Sequence, residues 1–301
     1  MEWQTSAYYW NKHNEKNLPV AATTVQKLIE GYATVRNVNI QNRPQRAIRA
    51  AIAARRRTAE KVYVSKPRIK DYGKKVQVTA FLYDAKEAAA SARAKQAERF
   101  GNKSAPQPKQ GQSQVDFLLE EEQTTKLRRI MEQVYKRPVD LKLIKLSKPQ
   151  LDADILSAVV AQQLKDRRNT PRRVIRDATW RAALPNAQAV SNIIQAKHER
   201  QPERFRWDDF TLANTSQTNS STILDKVALS QVTSVGVEAA GRLTKRLTAN
   251  RSQRKMARHG ATAKEAGPIL RGFQKAHVQH GFSGGKRRVG QFGIRVALGH
   301  A

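Results

Sequence analysis

The sequence predicts an α+β protein: two small α/β-sandwich domains with basic extensions and a disordered insertion. Three observations carry that expectation. Strand-like runs rich in β-branched and aromatic residues alternate with runs of helical apolar spacing. A chain of 301 residues allows about two domains. Periodicity is lost over residues 184–224, which run through Pro185, Pro202, Asp208-Asp209 and the polar tract ANTSQTNSST. That stretch reads as a linker or insertion between residues 61–183 and 225–301.

Residues 1–60 form an N-terminal extension. Trp3, Tyr8, Tyr9 and Trp10 are read as structural aromatics rather than base-stacking ones. Thr23 and Thr24 are candidate helix caps, ahead of Val25, Leu28, Ile29 and Tyr32 at amphipathic spacing. Pro44 opens an Ala-rich helix with Ile48, Ala51 and Ile52 on one face, decorated by Arg43, Arg46, Arg49, Arg55, Arg56 and Arg57.

Two strands, Lys61–Ser65 and Lys75–Tyr83, with Pro67 and Gly73 between them, read as a hairpin. Residues 84–113 are a low-complexity insertion, the first half a solvated helix and the second a loop. Leu127, Ile130, Met131 and Val134 mark a helix that Pro138 ends. Val139–Leu146 alternates as a half-buried strand. Asp152 caps a helix bearing Ile155, Leu156, Val159, Val160 and Leu164. Thr170 then Pro171 start another. On that helix Arg172, Arg173 and Arg176 fall within a 100° arc, opposite Val174, Ile175, Ala178 and Ala182, at about 100° per residue. In the last block, Val232–Ala240, Lys275–His280 and Gln291–Leu298 read as strands. The glycine pair Gly284-Gly285 and Lys286, Arg287 and Arg288 sit between the last two, as a loop that a phosphate can approach.

Charge narrows the function. Lys and Arg number 56 against 25 Asp and Glu, a formal charge of +31. Such an excess speaks to partners rather than fold, and nucleic acid is the leading one. The stretch Gly241–Arg258 holds Arg242, Lys245, Arg246, Arg251, Arg254, Lys255 and Arg258 without a carboxylate. Such a run repels itself until phosphates sit against it and release their counterions. Leu243 and Leu247, four apart, let one side anchor to a core. A membrane partner is not expected, because the basic segments lack large apolar residues opposite their charges.

Cysteine is absent, which removes disulfides, Cys-based zinc and thiol nucleophiles. No phosphate-binding P-loop, dinucleotide fingerprint or HExxH occurs. His277 and His280 would point to opposite faces of a strand. Glu120, Glu121 and Glu122 read as a solvated helix face. No metal, no cofactor and no catalytic residue is expected. The N-terminus has no hydrophobic signal core, and its first arginine, Arg36, is unlike an Arg-rich transit peptide.

Gly241–Ser252 (GRLTKRLTANRS) and the later GGKRRVGQFGIRVALG resemble the C-terminal domain of the mitochondrial small-subunit ribosomal protein S-three family, whose fungal form is also called Var. Asn11–Tyr32, Lys61–Tyr83 and Arg137–Leu164 are similar to its N-terminus, first strand pair, and central strand and helix. Together these stretches cover well over half the chain, in order. The resemblance implies a KH-like first domain and an S-three C-terminal domain in the head of the mitochondrial small subunit. It implies small-subunit rRNA, mRNA at the entrance channel and neighbouring head proteins as partners. Bacterial relatives carry an Arg-Arg-x-x-Lys/Arg run on a helix at that channel, implicated in unwinding structured mRNA, and Arg172-Arg173-Val174-Ile175-Arg176 matches it. The Gly-x-x-Gly clamp of KH domains has no counterpart in residues 84–113, so the KH-like domain is degenerate. The alternative is a free mitochondrial RNA-binding protein, a splicing or RNA-chaperone factor.

Overall fold

The computed structural model describes residues 5–9, 17–35, 61–99, 114–166, 168–182, 184, 232–244, 251–260 and 278–300. Contacts divide the chain into two units, Met1–Gln162 and Gln163–Ala301. Arg55, Arg56, Arg57 and the Ala-rich helix around them lie outside the described residues, as do residues 185–231.

The first unit is built on a central strand, β4 (Val76–Asp84). Its alternating Val76, Val78, Ala80 and Leu82 are buried under helices α1 (Leu18–Val35), α3 (Gln114–Leu119) and α4 (Glu121–Tyr135), which contribute Val25, Ile29, Leu118, Leu127 and Met131. On the other face, Tyr63 and Tyr83 pack with Ile155 of α5 (Ala153–Lys165). Helix α2 (Ala85–Arg99) follows β4 directly, so the first half of the low-complexity segment is helical. Strand β5 (Val139–Lys145) lies parallel to one edge of β4.

The other edge is more elaborate than a two-strand hairpin. Strands β2 (Val62–Val64) and β3 (Arg68–Asp71) pair in succession with β4. Val64 faces Leu82 and Arg68 faces Thr79, so Ser65–Pro67 carries one residue more than its partner segment, a bulge. Pro67 has no N–H to give. The Ser65 hydroxyl repairs the ladder by accepting from the Phe81 amide at 3.0 Å. Strand β1 (Thr5–Ala7), which the sequence reading lacked, joins β3 in parallel. Tyr8 stacks on Tyr72 at 5.2 Å, so the described part of the aromatic N-terminus pins a strand to a turn.

Thr23 and Thr24 are not caps. The helix begins at Leu18, where Pro19 occupies the first turn. Both hydroxyls donate back to carbonyls three residues earlier, Val20 and Ala21, the usual habit of threonine inside a helix. Asp152 does cap α5, accepting from the Asp154 amide at 2.7 Å and the Ile155 amide at 3.4 Å.

In the second unit a four-stranded antiparallel sheet runs in the order β7 (Gln253–Gly260), β6 (Val232–Gly241), β9 (Gly290–His300), β8 (Val278–Arg287). One face buries Val235, Val237, Ala239, Phe292, Ile294, Val296 and Leu298. Helix α6 (Pro171–Trp180) lies against β6 and β7 through Val174 and Ile175. Sequence grouping assigned α6 to the first domain, but its contacts are with this sheet. The opposite face of the sheet has no described element over it.

Candidate nucleic-acid interface

Helix α6 positions the first cluster. Thr170 stands at its N-cap without a side-chain bond, and Pro171 occupies the first turn. The apolar stripe docks on the sheet, which turns Arg172, Arg173 and Arg176 outward. They line a shallow exposed depression with Thr170 and Asp177. Among the described residues, Asp177 is the one carboxylate of that depression, 3.8 Å from Arg173. Arg172 and Arg173 stand in the first turn of the helix, whose dipole end is already positive. Phosphate relieves both at once.

Further on, the basic stretch departs from its expected form. Leu243 is buried as its anchor, but from Gln253 the chain is the edge strand β7, not a helix. Pairing with β6 from Gly241 to Ser234 overrides the local helical spacing. Arg251, Arg254, Lys255 and Arg258 are exposed, while Lys245 and Arg246 lie outside the described residues. Arg254 grips Glu238 with both arms, at 2.7 and 3.2 Å. That hydrogen bond holds the Glu238 carboxyl below its ordinary value, and the charges of Arg254, Arg295 and Arg258 add to the effect. One carboxylate thus holds one guanidinium directly, with two more close enough to act on its charge. Arg242 is half-buried, its stem lying on Gly290.

The segment expected to be a glycine loop is strand β8, and the hairpin turn is the two residues Arg288-Val289. A Cβ on Gly285 would lie 2.3 Å from Cζ of Phe292, so this glycine makes room for a core ring rather than for phosphate. Strand alternation separates the three neighbouring cations. Lys286 and Arg288 are exposed. Arg287 turns inward, where its Nε donates to the Leu164 carbonyl and its two terminal nitrogens to those of Leu243 at 3.2 Å and Asp166 at 3.4 Å. Burial lowers its pKa from the ordinary value, with Asp166 opposing. Arg287 is a structural pin and leaves the set of candidate RNA ligands.

The residues sequence reasoning missed are Arg295, Phe282 and Met256, all on the sheet face that no described element covers. Reading FSGGKRR with a period of two would have found Phe282 beside Lys286 on one side.

Two α+β units, the second with exposed helix and strand faces crowded with guanidiniums, define a basic scaffold protein. The chain belongs to the VAR1 family, described as mitochondrial ribosomal protein, which matches residues 62–301. It is also similar to the small ribosomal subunit protein uS3m of Penicillium urticae, 28% identical over 180 residues. That alignment covers 55% of this chain and 43% of the relative, so the chain spans less than half of the relative's length. The sequence likeness of Asn11–Tyr32 to the family lies ahead of the matched residues.

Proposed function

We propose that the chain is a structural constituent of the head of the mitochondrial small ribosomal subunit, binding small-subunit rRNA and lining the mRNA entrance channel. The observation that carries this is the cluster of Arg172, Arg173 and Arg176, held outward on a helix whose other side is fixed to a sheet. A rigid backing matters. Guanidiniums that hold separated strands by their phosphates bias duplex opening only if they do not retreat with the RNA. No nucleotide hydrolysis by this chain is involved, and ribosomal family membership favours a structural role over an enzymatic one. Arg251, Arg254, Lys255, Arg258, Lys286 and Arg288 serve rRNA in this reading, with neighbouring head proteins as further partners.

The test is Arg172, Arg173 and Arg176 changed together to Ala. Mutant chains should sediment with small subunits at salt that strips loosely held factors, yet translate structured messages more slowly than unstructured ones. Equal translation of both message types would remove the channel role. A wild-type chain washed off at that salt would instead favour a free RNA-binding factor.

A further inference from the structure

The face of the second sheet that no described element covers has a defined layout. Strand register sets its side chains in transverse rows. One row reads Met256, Glu238, Arg295, Phe282 across the four strands. On one side of it runs Arg258, Gly236, Ala297, His280, and on the other Arg254, Ala240, Gly293, Gly284. Each row spans four strands about 4.8 Å apart. The middle of the flanking rows is therefore nearly bare backbone, and the cations stand around it.

Phe282 is the unusual member. It is 63% exposed, beside Arg295 and in the midst of a charged surface. Its ring leans over Gly293, where a Cβ would meet the ring at 3.4 Å. A Cβ on Gly284 would lie 3.8 Å from the Phe292 carbonyl, an ordinary contact, so the strand beside the ring has room for a side chain and carries none. Met256 is 51% exposed at the far end of the same row. Single exposed apolar side chains are ordinary on a protein surface, so the ring by itself names no partner. The surrounding charge decides what the partner is. Among the described residues, Arg254, Arg258, Arg295 and Lys286 share the face with one carboxylate, Glu238, so the complementary surface is anionic. An anion that also offers flat π-faces is a strand with unpaired bases.

We propose that this sheet face is a stacking platform for a single-stranded RNA segment, with an unpaired base on Phe282 and adjacent phosphates held by Arg295, Arg258 and Lys286. The inference rests on the RNA-binding reading above and adds a base-stacking site distinct from the arginine cluster of α6. A duplex has no unstacked base to offer, so the face discriminates single strands from duplexes.

The test uses the full chain, an octauridine strand and an RNA duplex of equal length, with binding followed by fluorescence anisotropy across a salt series. Phe282→Ala should weaken octauridine about ten-fold or more. Duplex affinity, the salt slope and the melting temperature should not change, because the exposed ring neither contacts phosphate nor belongs to the core. Phe282→Trp should retain or improve octauridine binding, and an iodouridine-substituted strand should photocrosslink to the β8 peptide. If Phe282→Ala binds both RNAs as wild type does, stacking is overturned while RNA binding stands. If the wild-type chain binds neither RNA at low salt, the RNA reading itself fails and this inference with it. If Phe282→Ala loses subunit association but keeps octauridine affinity, the face belongs to a protein, and the proposal is overturned.

Discussion

Arg287 offers the sharpest check on the physical reading, because its sequence neighbours Lys286 and Arg288 carry the same charge and a different job. Replacing it with Ala removes the donors of three backbone carbonyls, those of Leu164, Leu243 and Asp166. A bond from a charged donor contributes about 1.5–3 kcal/mol. The Asp166 bond is long and only partly buried, so two bonds dominate. The guanidinium also lies over the Phe292 ring at 5.6 Å, adding about 0.5–1 kcal/mol. Against this stands the relief of desolvating a buried cation. The net expectation is a loss of about 3 kcal/mol in the second unit, with Arg287→Lys losing roughly half because it keeps charge without the fork. Arg288→Ala, in an exposed turn, should stay within about 0.5 kcal/mol. Urea denaturation combined with amide hydrogen exchange of β8 and β9 reads this unit without relying on two-state behaviour of the whole chain. Equal protection of those strands in Arg287→Ala and Arg288→Ala would refute the pin.

Changing Arg172, Arg173 and Arg176 together to Ala should lower the slope of log affinity against log salt by about 2 for single-stranded RNA, three contacts at about 0.7 each. Stability should not fall, since exposed ion pairs are weak and Ala suits a helix; an unchanged slope means these arginines touch no phosphate. Gly285→Ala should cost about 1–3 kcal/mol through the Phe292 clash, while Gly284→Ala, in ordinary contact with the Phe292 carbonyl, should be nearly neutral; thermal melts compare them. Glu238→Gln should tighten RNA binding by freeing Arg254. Glu238 has a lowered folded-state pKa, so its stabilising effect is present above the unfolded carboxylate pKa and fades as pH falls through the lowered value. The stability gap between wild type and Glu238→Gln should close over that acid range in pH-dependent urea titrations, and a gap that persists at lower pH removes the ion pair as its cause.

Much of this architecture could be read from the chain because the deciding information was local. Asp152 capped its helix as expected, and the apolar stripes of α4 and α5 gave buried Leu127, Met131, Ile155 and Leu164, although Ile130 and Val134 of the α4 stripe are exposed. The side of α6 that turned outward followed from the stripe of Val174, Ile175, Ala178 and Ala182. What escaped depended on pairing across the chain. Strand β1 has three residues and no pattern of its own; it exists because β3 offers an edge. The basic stretch became a strand because β6 had an unpaired edge, and a charged strand there also blocks pairing with other sheets. Lys286, Arg287 and Arg288 looked alike until strand alternation sent one of them into the core.

The second unit is therefore a slab with different surfaces on its two sides. Helix α6 covers one face of the sheet and directs Arg172, Arg173 and Arg176 away from it. The other face presents Arg254, Arg258, Arg295 and Lys286. In an isolated chain of formal charge +31 both surfaces oppose the compact state through self-repulsion. Neutralising one side with RNA lowers the potential felt on the other only weakly, because about 10 Å of ionic solution screens exposed charges and the slab separates them further. On the proposed RNA-binding reading, the two faces would therefore bind independently of each other. If so, the salt slopes removed by α6 variants and by sheet-face variants should add within error. A combined variant whose slope falls short of that sum would mean the faces compete for one RNA segment.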